Sequence, residues 1–363
     1  MMNLNCKAGG AVVLFLAFAV FVAGCGKLGP SALKVDRSNY NIAIQHTSDE
    51  QLLLNLVRLK YRDNPFFLEV SSVATQFTLN ANAQASAEIP DSGPNIFGLG
   101  AGTAYSERPT VTYSPLQGDK FIQRMLSQIS LASIALLYHS GWSVERIFRL
   151  CLQRLQHLNN APGASGPTPQ YAPDYEAFAR AARLLRSLQV RHALDLLYRP
   201  ETGTLLMRIA PASRDWPEMR QLSDLLKIDP GKTDYVLDTR PVPDDSDHIR
   251  IEPRSLLGIM FYLSQSVEVP ERDRKQGKVT ITTYRSGAPF DWSRMIGDLF
   301  RVRSQPEKPA DASAAVNYRG SWFFVDDSDL KSKSTFSLLA QIFFLQAGKI
   351  KSTAPLLTLP VGQ

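Results

Sequence analysis

The sequence predicts an α+β fold, in which a long β-hairpin, a central helical block and a C-terminal mixed α/β part follow one another. Apolar residues alternate with polar ones over two long stretches before residue 114, and they recur at helical spacing in several other segments. Strands and helices mix without the regular alternation of a parallel α/β protein. With 363 residues, of which 44% are hydrophobic and 20% are charged, the chain can build one large or two modest domains.

The first residues carry the pattern of an export signal. One charged residue, Lys7, precedes an apolar run over residues 11–23, which is shorter than the roughly 20 residues that a spanning helix needs. The run ends in Val22-Ala23-Gly24-Cys25, which resembles the lipobox that signal peptidase II cuts in bacterial lipoproteins. The resemblance implies that residues 1–24 are removed and that the Cys25 thiol takes the lipid, since a thiolate is a good nucleophile. A secretory signal with a chance cysteine is the alternative.

This resemblance also implies a location. An acylated N-terminus, palmitate included, attaches the mature chain permanently to a membrane. Gly26 follows the cysteine where an Asp would favour the inner membrane, so we expect an outer-membrane anchor with the body facing the periplasm. The expected partners are the membrane, through the lipid, and an envelope protein. Nucleic acid is not expected, because the basic residues behind the net charge of +6 are dispersed.

The next region is predicted to hold a tether, a helix and the hairpin. Residues 25–39 show little apolar periodicity and predict a tether, whereas leucines at helical spacing predict a helix over residues 49–62. Residues 72–89 then alternate with period two, residues 90–95 form a turn, and residues 97–113 alternate again. The pair predicts strands much longer than the usual five or six residues.

A helical block and a mixed C-terminal region complete the prediction. The block comprises helices over residues 118–130, 131–138 and 143–158, and closes a region that spans residues 40–160. A loop over residues 159–173 marks the boundary to a C-terminal α+β region, residues 174–363. That region is predicted to contain helices over 174–188, 216–226, 255–264 and 333–346. Its predicted strands cover residues 193–198, 204–209, 279–284, 299–303, 315–318 and 322–325.

The chain offers few groups for catalysis or metal binding. Its five histidines have no His-Glu-x-x-His spacing and its three cysteines no Cys-x-x-Cys spacing, so no cofactor or metal is expected. Cys151, the cysteine left after the signal and the anchor, is predicted to be a buried inert thiol. Arg146, Arg149 and Arg154 are predicted to form a solvated helix face.

Two acidic clusters are the remaining candidates. Asp244-Asp245-Ser246-Asp247-His248 lacks the glycine and distal glutamate of an EF-hand, which favours a solvated turn. In the second cluster, Asp326, Asp329 and the nearby Lys331 are candidate site residues. The alternative is a turn that caps the following helix, because carboxylates stabilise a helix N-terminus.

Several segments of the body resemble an uncharacterised family of bacterial predicted lipoproteins. They are residues 56–63, 107–116, 254–258, 262–265 and 332–336. That family has no assigned activity, so the resemblance implies the lipoprotein class and no mechanism.

Three functions fit these observations. The first is a non-enzymatic scaffold or accessory subunit of an envelope assembly, since an anchor is predicted and a catalytic motif is not found. The second is an oligomeric outer-membrane pore formed by the hairpin of residues 72–113. The third is an envelope hydrolase that uses Asp326, Asp329 or a histidine as acid or base.

Overall fold

The fold was analysed in a computed structural model, which describes residues 28–88, 96–116, 118–167, 169–241 and 247–347, with the backbone alone over 28–37 and 72–109. The α+β class is confirmed, because long helices accompany three separate sheets. The lipobox with Cys25 and the predicted turn over residues 90–95 lie outside the described residues.

The first element is a helix, α1 (Leu28–Lys60), which is longer than the helix predicted over 49–62. Helix replaces the tether predicted over residues 25–39 from Leu28 onward. Pro30 lies in the first turn, where a helix tolerates a residue without an N–H. The buried residues of α1 begin at Leu52, so the earlier part has no apolar stripe that could predict a helix.

The predicted hairpin is confirmed. Strand β1 (Leu68–Glu88) pairs antiparallel with β2 (Ile96–Pro115) over the full length of both strands. The register shifts once, between Val70 and Ser72, where a bulge bends the strand close to the body.

Three short helices follow, and they agree with the predicted block except at its end. They are α2 (Asp119–Leu126), α3 (Leu131–His139) and α4 (Val144–Cys151). The third helix was predicted to reach residue 158, but the chain leaves it at Cys151. The next residues form two strands instead, because their leucines pair into a sheet. These strands are β3 (Leu152–Leu155) and β4 (Leu158–Asn159).

A six-stranded sheet forms the centre of the body, and its order is β4-β3-β8-β7-β6-β5. All neighbours are antiparallel except β7 and β8, which are parallel. The elements that complete it are α5 (Glu176–Val190), β5 (Leu194–Arg199), β6 (Thr204–Ile209), α6 (Pro217–Leu226), β7 (Asp234–Asp238) and β8 (His248–Pro253). The predicted boundary at residues 159–173 does not separate two sheets. Strands from both sides of it, β3 and β4 before and β5 to β8 after, belong to the same sheet.

The last part combines helices with a three-stranded antiparallel sheet of order β10-β11-β9. Its elements are α7 (Leu256–Ser264), α8 (Glu271–Lys275), α9 (Ser293–Ile296), β9 (Arg303–Gln305), β10 (Ala312–Tyr318), β11 (Ser321–Asp326) and α10 (Leu330–Ala347). The strands predicted over 279–284 and 299–303 are wrong. The first segment makes isolated bridges only, at Thr283, and the second makes one at Val302 before β9 begins at Arg303.

One continuous hydrophobic core joins the second half of α1 to most of the helices and strands that follow the hairpin. It runs from Leu52 on α1 through the six-stranded sheet to Ile342 on α10. The elements outside the hairpin therefore form a packed body, to which the hairpin is attached at residues 66–68.

Candidate functional site

The hairpin is a separate sheet of two strands in the part of the chain that the structure describes. Within the described residues, β1 and β2 pair with each other and with no third strand. The strands contain 21 and 20 residues, which at ~3.3 Å per residue gives a ribbon about 65 Å long. An isolated two-stranded ribbon is only marginally stable in water. In the described part of the chain, each outer edge of the ribbon therefore has no neighbouring strand.

The edges lack the features that usually block such pairing. Proteins protect edge strands with charges, prolines or bulges. Between Val70 and Ala87 on β1, and between Ile96 and Ser106 on β2, the sequence contains no charged residue and no proline. The bulge and the charged pair of Glu107 and Arg108 lie nearer the body. The distal half of the ribbon is thus open on both edges.

The register separates the two faces of the ribbon. Directly paired residues lie on the same face, and from Ser72 onward odd-numbered residues pair with odd-numbered ones. On β1 the odd positions from Val73 to Ala87 hold only Val, Thr, Phe, Leu and Ala. Phe97 and Leu99 on β2 pair with the alanines near the tip. The even positions of β1 hold mainly Ser, Gln, Thr and Asn, so on this strand the odd positions are mostly apolar and the even positions mostly polar. On β2 the even positions from Ile96 to Ala104 hold only Ile, Gly and Ala.

Pro109 shows which backbone groups point outward. It pairs with Thr75 and has no N–H to donate to β1. In an antiparallel pair of strands, directly opposite residues either bond to each other or point their N–H and C=O groups away from the partner strand. The Thr75–Pro109 pair therefore belongs to the second kind. Because these groups alternate along a strand, we infer that the odd-numbered residues of β1 from Val73 to Ala87 carry the outward N–H and C=O groups.

Two amide side chains on α1 fix the root of the hairpin. The Gln51 Nε2 donates to the Leu68 carbonyl at 3.0 Å and its Oε1 accepts from the Leu68 N–H at 2.6 Å. One turn later, Asn55 makes the same pair of bonds with Phe66, at 2.8 and 2.9 Å. Each amide thus replaces a strand partner, and the ribbon leaves the body in a defined direction.

The root is also packed from below. Phe67 is buried, with ring centroids 5.9 Å from Phe121 on α2 and 5.0 Å from Phe343 on α10. Around it, apolar side chains remain exposed to solvent. They are Phe66, Leu68, Val111, Tyr113, Ile122, Leu126 and Phe344. These seven residues, here called the apolar collar, lie at the root of the hairpin, on α2 and on α10.

The predicted candidates Asp326 and Asp329 are engaged by local donors. Asp326 accepts from the Ser328 N–H and hydroxyl, at 2.9 and 2.5 Å, and these bonds hold its pKa below the usual range. Asp329 directly precedes α10 and accepts from the Ser332 N–H at 3.0 Å and the Ser332 hydroxyl at 2.7 Å. Burial raises the pKa of Asp329, but these bonds outweigh it and lower the pKa overall. Lys331 is exposed.

Both carboxylates therefore act as helix and turn caps, and the hydrolytic role of this cluster stays a prediction. Asp244, Asp245 and Ser246 of the other cluster lie outside the described residues. Within the described residues there is no group of three or more His, Cys, Asp or Glu that could hold a metal ion.

Cys151 is completely buried, as predicted, and burial raises the pKa of its thiol to about 12. That the thiol is inert stays a prediction. The solvated arginine face is wrong for Arg149, which is 4% exposed. Its guanidinium binds the Asp298 carboxylate at 2.7 and 2.8 Å and Glu145 at 3.2 Å. Sequence spacing could not show this, because Asp298 is far along the chain.

A second buried arginine, Arg254, ends helix α4. Its guanidinium donates to the carbonyls of Arg149 and Leu150 at 3.2 Å. The backbone N–H of Arg254 donates to the Cys151 carbonyl at 2.6 Å. It also reaches the carbonyls of Leu152, at 2.6 Å, and Asn160. A helix leaves its last carbonyls without partners, and a cation is favourable there.

Comparisons with protein-family models, with curated protein sequences and with solved structures return no significant match. In the part of the chain that the structure covers, none of the helices combines the length and the apolar character needed to cross a membrane.

Proposed function

We propose that the protein is a lipid-anchored envelope subunit whose hairpin pairs edge to edge with other copies, so that it acts as a non-enzymatic scaffold of an envelope assembly. The observation that carries the proposal is the ribbon of two long strands with both edges open. Cys25 would anchor the chain through its lipid, with the body facing the periplasm from the outer membrane. Membership of the family of predicted lipoproteins belongs to the same proposal.

Head-to-tail pairing explains the two open edges. If β1 of one copy pairs with β2 of the next, every edge is used and the arrangement closes into a ring when the rotation permits. The apolar collar at the root would then lie against the neighbouring body. Each backbone hydrogen bond across such an interface contributes about 0.5–1.5 kcal/mol.

The test removes outward donors without removing hairpin bonds. Ala81 and Ala85 are outward positions, so the double variant Ala81→Pro, Ala85→Pro deletes two edge donors. At about 2 kcal/mol per interface, association should weaken roughly thirtyfold. The matched control Ala81→Val, Ala85→Val keeps both donors and favours strand structure. Particle mass of the full-length protein in mild detergent is the measurement.

We expect wild type and the valine variant to form particles of several copies, and the proline variant to dissociate on dilution. Circular dichroism checks that the proline variant keeps its strand content. A monomeric wild type, or a proline variant that assembles as well as the valine variant, contradicts the proposal.

A second candidate function is a pore, which the separation of the two faces favours. A spanning strand needs about 9–11 residues, and the pairs from Leu79–Tyr105 to Ala87–Phe97 supply nearly that length without a charged residue. In a closed ring of hairpins, the odd face would contact lipid and the even face would line water.

Two substitutions to aspartate, at neighbouring positions of β1, distinguish the pore from the scaffold. Ala83→Asp places a charge on the apolar face and should abolish conductance in planar bilayers, since a charge on a lipid-facing strand is costly. Asn82→Asp places it on the polar face and should preserve conductance with a shift toward cation selectivity. If wild-type particles conduct no ions, or if the two variants behave alike, the pore is refuted while the scaffold stands.

A further inference from the structure

A cavity of about 520 Å³ opens in the body where α1 ends, and it takes no part in the pairing of the hairpin. It lies among α1, α8, α9 and the segments that connect them, and its volume falls in the range of ligand sites. One side of it is apolar. The side chains on this side are Val267, Val269, Phe290, Trp292 and Phe300. The Trp292 ring is held in place because its Nε1 donates to the Thr282 hydroxyl at 3.0 Å.

Lys60, the last residue of α1, lines this cavity in an unusual position for a lysine. It follows Leu53, Leu56 and Val57 on the buried stripe of the helix, where an apolar residue is expected. Its side chain is half-buried, and its ammonium donates to the neutral Gln265 Oε1 at 3.2 Å. Within the described residues, no carboxylate lies within 4.0 Å of the ammonium. Burial, and then the charge of Arg274, lower its pKa to about 8.

The other charged groups of the cavity do not neutralise Lys60. Two further cations, Arg274 and Arg301, line it together with the carboxylates of Asp291 and Glu268. Asp291 accepts from the Ser293 N–H and hydroxyl, at 2.9 and 2.8 Å, and Glu268 is exposed. A half-buried cation without a counter-charge is costly, so its retention here indicates a group that binds something.

We propose that this cavity binds a small organic anion, whose phosphate or carboxylate pairs with Lys60 and whose apolar body lies against the aromatic side of the cavity. The bound anion supplies the counter-charge that the chain does not, and the three cations favour its entry. The lining is consistent with such a ligand, because both aromatic and cationic side chains line the cavity. Two segments that carry the family resemblance, residues 56–63 and 262–265, meet here through the bond between Lys60 and Gln265.

Phenyl phosphate and benzoate, titrated calorimetrically into the full-length protein, test the proposal and identify the head group. Inorganic phosphate and phenol are run beside them, because each offers only one half of the ligand. We expect phenyl phosphate or benzoate to bind more tightly than both halves. The variant Lys60→Met keeps the aliphatic stem without the charge and should weaken binding at least tenfold, which is about 1.4 kcal/mol. Lys275→Met, at an exposed lysine outside the cavity, is the matched control.

A measurement on the wild type guards against a variant that fails to fold. Acetylation of each lysine is followed by peptide mass spectrometry, with and without saturating phenyl phosphate or benzoate. The ligand should protect Lys60 and leave Lys275 unchanged. The proposal is overturned if neither anion binds at millimolar concentration, if Lys60→Met binds as well as Lys275→Met, or if Lys60 is not protected.

Discussion

Replacing Arg254 should be among the most damaging single changes in the body, because its buried guanidinium donates to backbone carbonyls at the end of helix α4 and just beyond it. In Arg254→Met, the carbonyls of Leu150 and Asn160 lose donors that nothing else in the described chain replaces. Each buried carbonyl without a donor costs about 1–3 kcal/mol, and loss of a cation from a helix C-terminus costs up to ~2 kcal/mol.

The expected total is therefore about 2–8 kcal/mol, and its middle value is comparable to the whole stability of a marginal domain. Asn160 limits the loss, since its amide already donates to the carbonyls of Arg149 and Leu152, at 2.8 and 2.6 Å. Arg254→Lys keeps the charge but loses the planar guanidinium with its several N–H donors, so we expect about half of that loss in the free energy of unfolding.

Urea unfolding of the full-length protein, followed by tryptophan fluorescence, measures these values. Arg250→Met is the matched control, because Arg250 is exposed on β8, the strand that ends just before Arg254, and a surface change costs about 0.5 kcal/mol at most. The midpoint should fall steeply for Arg254→Met at an unchanged slope. A midpoint equal to that of Arg250→Met, or a lysine variant as stable as wild type, would refute this account of the helix end.

Three further perturbations follow from the contacts of the body. Asp329→Ala should cost about 1 kcal/mol in the free energy of unfolding, because the cap of α10 is lost; no change in urea midpoint would contradict the cap. Asp273 is fully buried, and although burial raises its pKa, bonds from Tyr61 and Lys278, at 2.8 and 3.1 Å, lower it overall. Its ionised form thus stabilises the fold above about pH 4, and the stability gap between wild type and Asp273→Asn should shrink as pH falls below that value; a gap that is equal at pH 7 and pH 3 would argue against it. Cys151 should resist maleimide labelling until the protein unfolds, as mapped by peptide mass spectrometry, and rapid labelling of the native chain would disprove its burial.

The sequence could predict those parts of the fold in which apolar residues recur with a regular period over many residues. Alternation over two long stretches identified the hairpin, and apolar residues at helical spacing identified the start of the buried part of α1 at Leu52. The short strands β7 and β8 were missed, although Ile249 and Ile251 on β8 do alternate. The equally short β5 and β6 form a hairpin with a tight turn between them, whereas β7 and β8 are parallel and no such turn marks them. The turn from α4 into β3 was missed because nothing in the local sequence marks it. That turn depends on Arg254, about one hundred residues later.

The candidate site was predictable in outline only. The sequence indicates a long ribbon, whereas the register that separates its faces and the pairing of Pro109 with Thr75 come from the structure. The clamps from Gln51 and Asn55 are likewise long-range contacts of ordinary polar residues. Lys60 had a local signal, a lysine on an apolar helical stripe, but its cavity forms from distant segments.

Hydrogen exchange of single amides in β1 tests the central claim most directly. In a free ribbon the outward amides at odd positions, such as Thr75 and Ala83, face water, while the inward ones between them are bonded to β2. If the edges pair in the assembled protein, amides at odd and even positions from Val73 to Ala87 should be protected alike. Rapid exchange at the odd positions alone would show an open edge in the native particle and contradict the account.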